Sequence, residues 1–529
     1  MLQGAWQDVR YGIRVLVRSP VFALTAALSL AIGLGANVAI FSVATALLIR
    51  PLPGIADPSR LVDIGRTTKG EGFDTTSYPN YKDVRGRATL LSGVYAWRVE
   101  PEPMSLTGSD GAERVYGTRV TGNYFLVLGA RPERGRLFTD GDDRPGMDGV
   151  TVISDGLWRR RFGADEKIVG STITVTGRPY VVVGVAPRGF QGTTILTSDL
   201  WLPLSTQSSV NANMLTDRRS TWLVMGGRLK PGVTLAQANA ELASIGDGLA
   251  REFPKDNGDR GLRAAKASIF PGRIDAIGGF IALLMAIVGL VLLIACVNLA
   301  GMLLARAAVR RREIAVRMAI GAGRGRLVRQ LLTETGAIFA VGCAAGLIAG
   351  RWFIALMLSL LPHLPVPLGM HVAIDWRVTV FAVVLSLVAA LVCGLAPALH
   401  VSGVALVPSL KADGTDGSPG KLGLRHAFLV GQIALSLLLV VAGALLVRSL
   451  ERAGRTDPGF DQTNVDTVSL DLSLAGLHEH DGAAFLHALE SRIRTLPGVS
   501  AVASAVDLPL DGDRMGFGDV RLPGTVADA

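Results

Sequence analysis

Residues 277–305, IGGFIALLMAIVGLVLLIACVNLAGMLLA, run for 29 positions without Asp, Glu, Lys or Arg. An apolar run of about 18 or more residues can cross a bilayer as a helix. Three more stretches pass the same test: 21–49 with 29 residues, 378–399 with 22 and 427–447 with 21. A fifth, 331–361, carries only Glu334 and Arg351, which fall where the two interfaces would be. Five spans are expected. At 1.5 Å per residue the two longest runs reach ~43 Å against a hydrocarbon core of ~30 Å, which predicts steep tilt or a helical stalk beyond the membrane. Arg10, Arg14 and Arg18 precede the first run, as in a signal peptide, but a signal's apolar region is only about 7–15 residues. The first run therefore reads as an uncleaved helix.

Charge gives the orientation. Residues 1–20 carry net +2, residues 306–334 net +6 and residues 400–426 net +1, which together account for the whole +9 of the chain. With five spans these segments alternate onto one side, and the positive-inside rule makes that side the cytoplasm. The N-terminus is expected inside, with 50–276 and 448–529 outside. The arginines at 310, 311, 312, 317, 324, 326 and 329 thus report topology rather than a nucleic-acid surface, and no nucleic-acid partner is expected. A mean hydropathy of +0.39 and only 18% charged residues exclude a wholly soluble enzyme and a disordered tail protein.

The long segment 50–276 differs in composition. Residues 172–186 (TITVTGRPYVVVGVA) alternate β-branched residues around a turn at 176–179. Ser154 is placed to cap a helix over 154–162, and 235–252 repeats apolar residues at three- and four-residue spacing after Pro231 and Gly232. Mixed strands and helices predict a large α+β extracytoplasmic domain. Residues 1–20 place Trp6, Val9, Ile13 and Leu16 on one helical face and three arginines on the other, the pattern of a cytoplasmic amphipathic helix at the inner interface.

No chemistry-bearing motif survives inspection. Cys296, Cys343 and Cys393 lie one in each of three spans and read as small packing residues. Residues 414–422 (GTDGSPGKL) lack the first glycine and the final Ser or Thr of a P-loop. His478, His480, His487 and Asp481 fit no zinc spacing, and Arg144 and Pro145 break the calcium-loop order of Asp140, Asp142, Asp143 and Asp148. No catalytic residue, metal or cofactor is expected. Gly342, Gly346 and Gly350 recur at four-residue spacing, a ridge that lets another helix approach closely. Few charges lie within the spans, so no ion relay is indicated.

Residues 313–334 (EIAVRMAIGAGRGRLVRQLLTE) lead directly into the glycine-bearing helix and strongly resemble the FtsX-like permease domain of MacB-type ABC transporters. The stretches 78–97, 122–138, 156–170, 178–190 and 229–242 resemble that family's periplasmic core domain in the same order. Residues 33–61, with RPLPGIADPSRL, are similar to the acidobacterial duplicated orphan permeases. Short repeats agree with a duplication: ALSL at 27–30 recurs at 434–437, and LLIR at 47–50 followed by Asp57–Pro58 recurs as LLVR at 445–448 followed by Asp457–Pro458.

The resemblance implies a polytopic α-helical membrane protein of the bacterial inner membrane, with the start of a second outer domain at 448–529. It divides the chain into an amphipathic helix (1–20), TM1 (21–49), a MacB-like periplasmic core domain (50–276), TM2 (277–305), a cytoplasmic coupling segment (306–330), TM3 (331–361), TM4 (378–399), a cytoplasmic loop (400–426), TM5 (427–447) and that second domain. Residues 277–400 would form the FtsX-like permease domain. The implied partners are a separate ABC ATPase and the lipid bilayer, with room for a periplasmic adaptor or envelope protein. Glu313, Arg317, Gly321 and Arg324 are the residues expected to couple to the ATPase, and efflux or envelope export is the expected output. The alternatives are a membrane-anchored sensor whose outer domain binds an envelope partner, and an inactive truncated permease.

Overall fold

The computed structural model describes residues 20–49, 53–108, 111–144, 146–147, 149–209, 212–309, 316, 324–360, 369, 372–402, 419–455, 464–468, 470, 472 and 479–505. Helix α1 (Pro20–Ala44) ends in a wider π turn, Thr45–Ile49. Strands follow: β1 (Leu61–Thr68), β2 (Glu71–Asp74), β3 (Leu91–Arg98), β4 (Glu102–Gly108), β5 (Gly111–Val120) and β6 (Arg134–Gly135). The series continues with β7 (Val150–Ile153), β8 (Thr172–Val175), β9 (Arg178–Val185), β10 (Leu200–Pro203), β11 (Leu223–Leu229) and β12 (Arg260–Lys266). Among them lie α2 (Tyr78–Arg87), α3 (Tyr124–Leu128), α4 (Asp155–Phe162), α5 (Leu235–Glu252) and α6 (Pro254–Asn257). The long helices α7 (Ile274–Val309), α8 (Arg324–Ser359), α9 (Trp376–Ser402) and α10 (Pro419–Gly454) come next, and α11 (Glu479–Ile493) closes the series.

Two compact units result, one of residues 1–103, 115–173 and 179–443, the other of 104–114, 174–178 and 444–529. In the first, the strand order is β9–β7–β10–β5–β3–β11–β1–β12. The ladders are parallel where β7 meets β9 (Val150 opposite Val181) and β10 meets β5 (Leu200 opposite Gly117). The other pairings along that order are antiparallel.

Strand alternation feeds two cores. In β3, Val94 and Ala96 join the core covered by α2 and α5, while Tyr95 and Trp97 point into the opposite core with Tyr124, Phe125 and Trp201. This is the period-two consequence of the pleat. Helix α5 begins where a capping box satisfies its free amides: Thr234 Oγ1 accepts from Gln237 N at 3.3 Å, and Gln237 Oε1 accepts from Thr234 N at 2.9 Å. Ser154 Oγ accepts from Leu157 N at 3.0 Å at the start of α4. The turn joining β8 to β9 has positive φ at Thr176 (49°) and Gly177 (73°), as a type I′ hairpin requires.

Helices α1, α7, α8 and α9 share an apolar core built from Leu30, Leu34, Val38, Leu292, Leu299, Ile338, Phe339, Val378 and Ala382. Among the described residues, five helices are long and apolar enough to cross a membrane: Pro20–Ile49, Ile274–Arg306, Val328–Ser359, Trp376–Gly394 and Leu429–Gly454. Helix α8 starts at Arg324 rather than 331, because arginine is a good helix former and an apolar-run test sees only the lipid-crossing part. No residue of 429–455 is buried. In the second unit β4 pairs with β8 through Leu106 opposite Val175 and Thr107 opposite Thr174. The expected second outer domain at 448–529 is described only in part, and α11 is its main element.

Candidate coupling site

The first helix is gripped on two sides. Toward α8, a Cβ at Gly342 would lie 2.7 Å from Leu30 Cβ, one at Gly346 would lie 2.8 Å from Leu34 Cβ, and one at Gly350 would lie 2.6 Å from Val38 Cγ1. From the other face a Cβ at Gly35 would stand 3.0 Å from Ala349 Cβ and 3.2 Å from Gly350 N. The two backbones therefore approach as closely as glycine permits. Toward α7, a Cβ at Gly33 would lie 3.1 Å from Leu292 Cα. Asn37 Nδ2 donates to Gly33 O and to Val288 O, each at 2.8 Å, so a buried carboxamide bridges α1 and α7. Ser386 Oγ on α9 donates to Phe339 O on α8 at 3.1 Å. Phe41 and Phe381 stack with centroids 3.9 Å apart.

Beyond the π turn, one side chain binds the residues at 56–57 to the outer domain with four hydrogen bonds. Arg228 on β11 is 9% exposed. Its Nε donates to Val127 O at 2.6 Å, its Nη1 to Asp57 O at 2.9 Å, and its Nη2 to Ala56 O at 2.6 Å and Leu128 O at 3.1 Å. Ala56 N also donates to Leu128 O at 3.1 Å. A planar fork of donors suits four carbonyls where an ammonium would not. Burial, with Arg60 nearby, lowers the Arg228 pKa from the ordinary arginine value, and Asp57 opposes that shift.

One row of the sheet carries a buried acid. Asp63, Gly226 and Tyr95 sit in register across β1, β11 and β3, and the Tyr95 ring lies over the glycine, which has no side chain to obstruct it. Asp63 is 0% exposed; its Oδ2 accepts from Ser268 N at 3.0 Å, and its Oδ1 has no partner among the described residues. Desolvation raises its pKa to about 8, with the Ser268 bonds opposing.

Of the residues singled out in the sequence, Glu313, Arg317 and Gly321 lie outside the described residues, as do 1–19, and Arg324 is the first residue of α8. The acidic loop is a structural clasp. Asp140 pairs with Arg85 at 2.7 Å and Asp142 with Arg136 at 2.7 Å, while Asp143 accepts from Gly122 N at 3.0 Å and Ser205 N at 2.7 Å. Asp148 and His478 also lie outside the described residues, among which no group of three or more metal-ligating side chains occurs. Sequence reading missed Asn37 and Arg228. The first left a trace, being the only Asn or Gln in the run 21–49. The second left none, because its acceptors are main-chain carbonyls about a hundred or more residues away in sequence.

Apolar helices sharing one core, with a mixed sheet domain inserted between the first two, define a membrane protein with an extracytoplasmic domain. The chain matches the model of the MacB-like periplasmic core domain over residues 23–245 and that of the FtsX-like permease C-terminal domain over 285–406. It belongs to the FtsX/MacB-type ABC transporter permeases. A macrolide export ATP-binding/permease protein MacB from Salmonella paratyphi A is 30% identical over 251 residues, covering 46% of this chain and 35% of that protein. The protein of the same name from Neisseria gonorrhoeae is 25% identical over 288 residues, covering 52% of this chain and 42% of that one. The match thus spans well under half the length of these curated relatives. The periplasmic region of MacB from Actinobacillus actinomycetemcomitans aligns with a TM-score of 0.31 at 18% identity, covering 44% of this chain and 97% of that structure.

Proposed function

We propose that the chain is a permease subunit that couples ATP hydrolysis by a separate ABC ATPase to movement of its outer domain, for efflux or envelope export across the bacterial inner membrane. The ATPase would bind the cytoplasmic segment 306–334, with Glu313, Arg317, Gly321 and Arg324 at the contact, and the N-terminus on the same side. The observation that supports this best is the glycine seam between α1 and α8. Leu30, Leu34 and Val38 of α1 seat against Gly342, Gly346 and Gly350 of α8, so a push on the cytoplasmic end of α8 would displace α1 as well. Arg228 would then deliver the displacement of α1 to β11, which lies between β3 and β1 in the sheet. The short repeats at 27–30 with 434–437 and at 47–50 with 445–448 support placement among the duplicated orphan permeases.

The test is to purify the chain from its native membrane, identify any copurifying ATPase, and measure ATP hydrolysis in proteoliposomes. Glu313→Ala and Arg317→Ala are expected to lower chain-stimulated hydrolysis roughly tenfold, about 1.4 kcal/mol of lost coupling. Normal stimulation in both variants would refute the assigned contact.

A further inference from the structure

The loop between β9 and β10 touches the membrane part of the chain at two separate places. Its near end packs against the stretch that leaves α1. A Cβ at Gly54 would lie 3.0 Å from Pro187 Cβ and 3.2 Å from Phe190 Cδ2, and one at Gly189 would lie 3.6 Å from Pro53 Cβ. Its far end meets the connection between α8 and α9: Gly369 N donates to Ile195 O at 2.8 Å, and a Cβ at Gly369 would collide with the Gln191 carboxamide.

Between these two ends the loop is anchored in the domain. Phe190 is 3% exposed and packs on Tyr124, Phe125 and Trp201, with centroids 6.5, 5.5 and 5.4 Å away. Thr193 is fully buried, and at Gly192, where φ is 74°, any side chain would strike the Tyr124 hydroxyl.

We propose that residues 187–195 are a relay: Pro187 and Phe190 register the outer end of α1, Gln191 and Ile195 register the α8–α9 connection, and the aromatic anchor makes the two contacts move as one. The proposal rests on the coupled-permease reading above and adds a second path outside the membrane. Inside the membrane α1 and α8 meet along the glycine seam, where Leu30, Leu34 and Val38 lie against Gly342, Gly346 and Gly350. Outside it, the relay compares the outer end of α1 with Gly369 in the α8–α9 connection, and any slip between them strains nine consecutive residues whose middle is fixed in the core. Packed aromatic cores resist continuous deformation, so such strain is passed on rather than absorbed.

Amide hydrogen exchange on the full chain in lipid nanodiscs tests this without the ATPase. Gly369→Ala is expected to speed exchange at residues 187–195 and also at the Ala56 amide, each by roughly fivefold, the equivalent of about one hydrogen bond's net stabilisation. Gln191→Ala added to Gly369→Ala removes the colliding carboxamide and is expected to restore both sites toward wild type. A Gly369→Ala effect confined to 191–195, with Ala56 unchanged, would overturn the relay, and so would no effect at either site. A double variant that left Ala56 fast would equally overturn it. Because no ATPase is present, any of these results strikes the relay alone and leaves the coupled-permease reading to the copurification test.

Discussion

Glycine does opposite work in the outer domain and in the helical bundle. In the sheet, Gly226 is a vacancy filled by the ring of Tyr95, and Gly192 makes room for the Tyr124 hydroxyl. The missing side chains there admit large, oriented aromatic groups that fix the core in one arrangement. In the bundle, Gly35, Gly342, Gly346 and Gly350 admit backbone and the aliphatic side chains of Leu30, Leu34, Val38 and Ala349, with no aromatic ring among the groups they admit. The same residue thus builds a rigid body in one region and a surface suited to small helix shifts in the other. In the coupled permease proposed above, that contrast would be a division of labour, with the moving part in the membrane and the part moved outside it.

The sharpest way to break the comparison is Gly346→Leu. It puts four carbons where even one lies 2.8 Å from Leu34 Cβ, and it should destabilise the bundle by about 3 kcal/mol or more while the outer domain keeps its exchange protection. Unfolding by SDS titration in mixed micelles reads the first, and amide exchange the second. If α5 and β3 lost protection together with the bundle, the two regions would not be mechanically separable. Arg228→Ala comes next. It removes the guanidinium from four carbonyls, of which only Leu128 O and Asp57 O keep a backbone donor, and should cost about 3 kcal/mol, with faster exchange at Ala56 and Val127. Arg228→Lys should recover little, because one ammonium cannot span both carbonyl pairs.

Asp63→Asn probes the rigid side of the contrast through pH. The Asp63 pKa is raised from 3.8 to about 8 in the fold, so the folded chain holds a proton that the unfolded chain has released over that interval. Its contribution is fully present below about pH 4 and declines as pH rises through about 8. Thermal unfolding of the wild type, followed by tryptophan fluorescence, should lose about 2 kcal/mol of stability between about pH 5.5 and 7, and Asp63→Asn should remove that slope. An unchanged slope would assign the pH dependence to other groups. Asn37→Leu, the smallest, should weaken the bundle by about 1 kcal/mol in the same SDS titration, the size of an interhelical hydrogen bond in lipid.

The parts of this fold that were visible in the sequence are those set by neighbours along the chain. The positive-φ turn at Thr176 and Gly177, the Ser154 cap and the periodic face of α5 each depend on residues a few positions apart. The strand order does not. Strand β10 enters the sheet parallel to β5 some eighty residues earlier, and alternating residues carry no record of which strand will lie beside them. The glycine spacing on α8 can be seen in the sequence, but its counterpart on α1 cannot. Leu30, Leu34 and Val38 look there like any lipid-facing apolar residues, and only the packing distinguishes them.

The π turn at Thr45–Ile49 bears on how α1 meets the two regions. A turn closed by i→i+5 bonds takes up one more residue than an α turn, and one residue is about 100° of rotation about the axis. The turn therefore acts as a phase shifter between the seam and the domain. The face that α1 presents to α8 is thereby out of step with the face at Ile49, where the turn ends. Adding or removing one residue within 45–49 would change that phase while the composition of both regions stayed as it is, so under the proposed coupling the angle at which a displacement arrived at the sheet would be set by a count of residues.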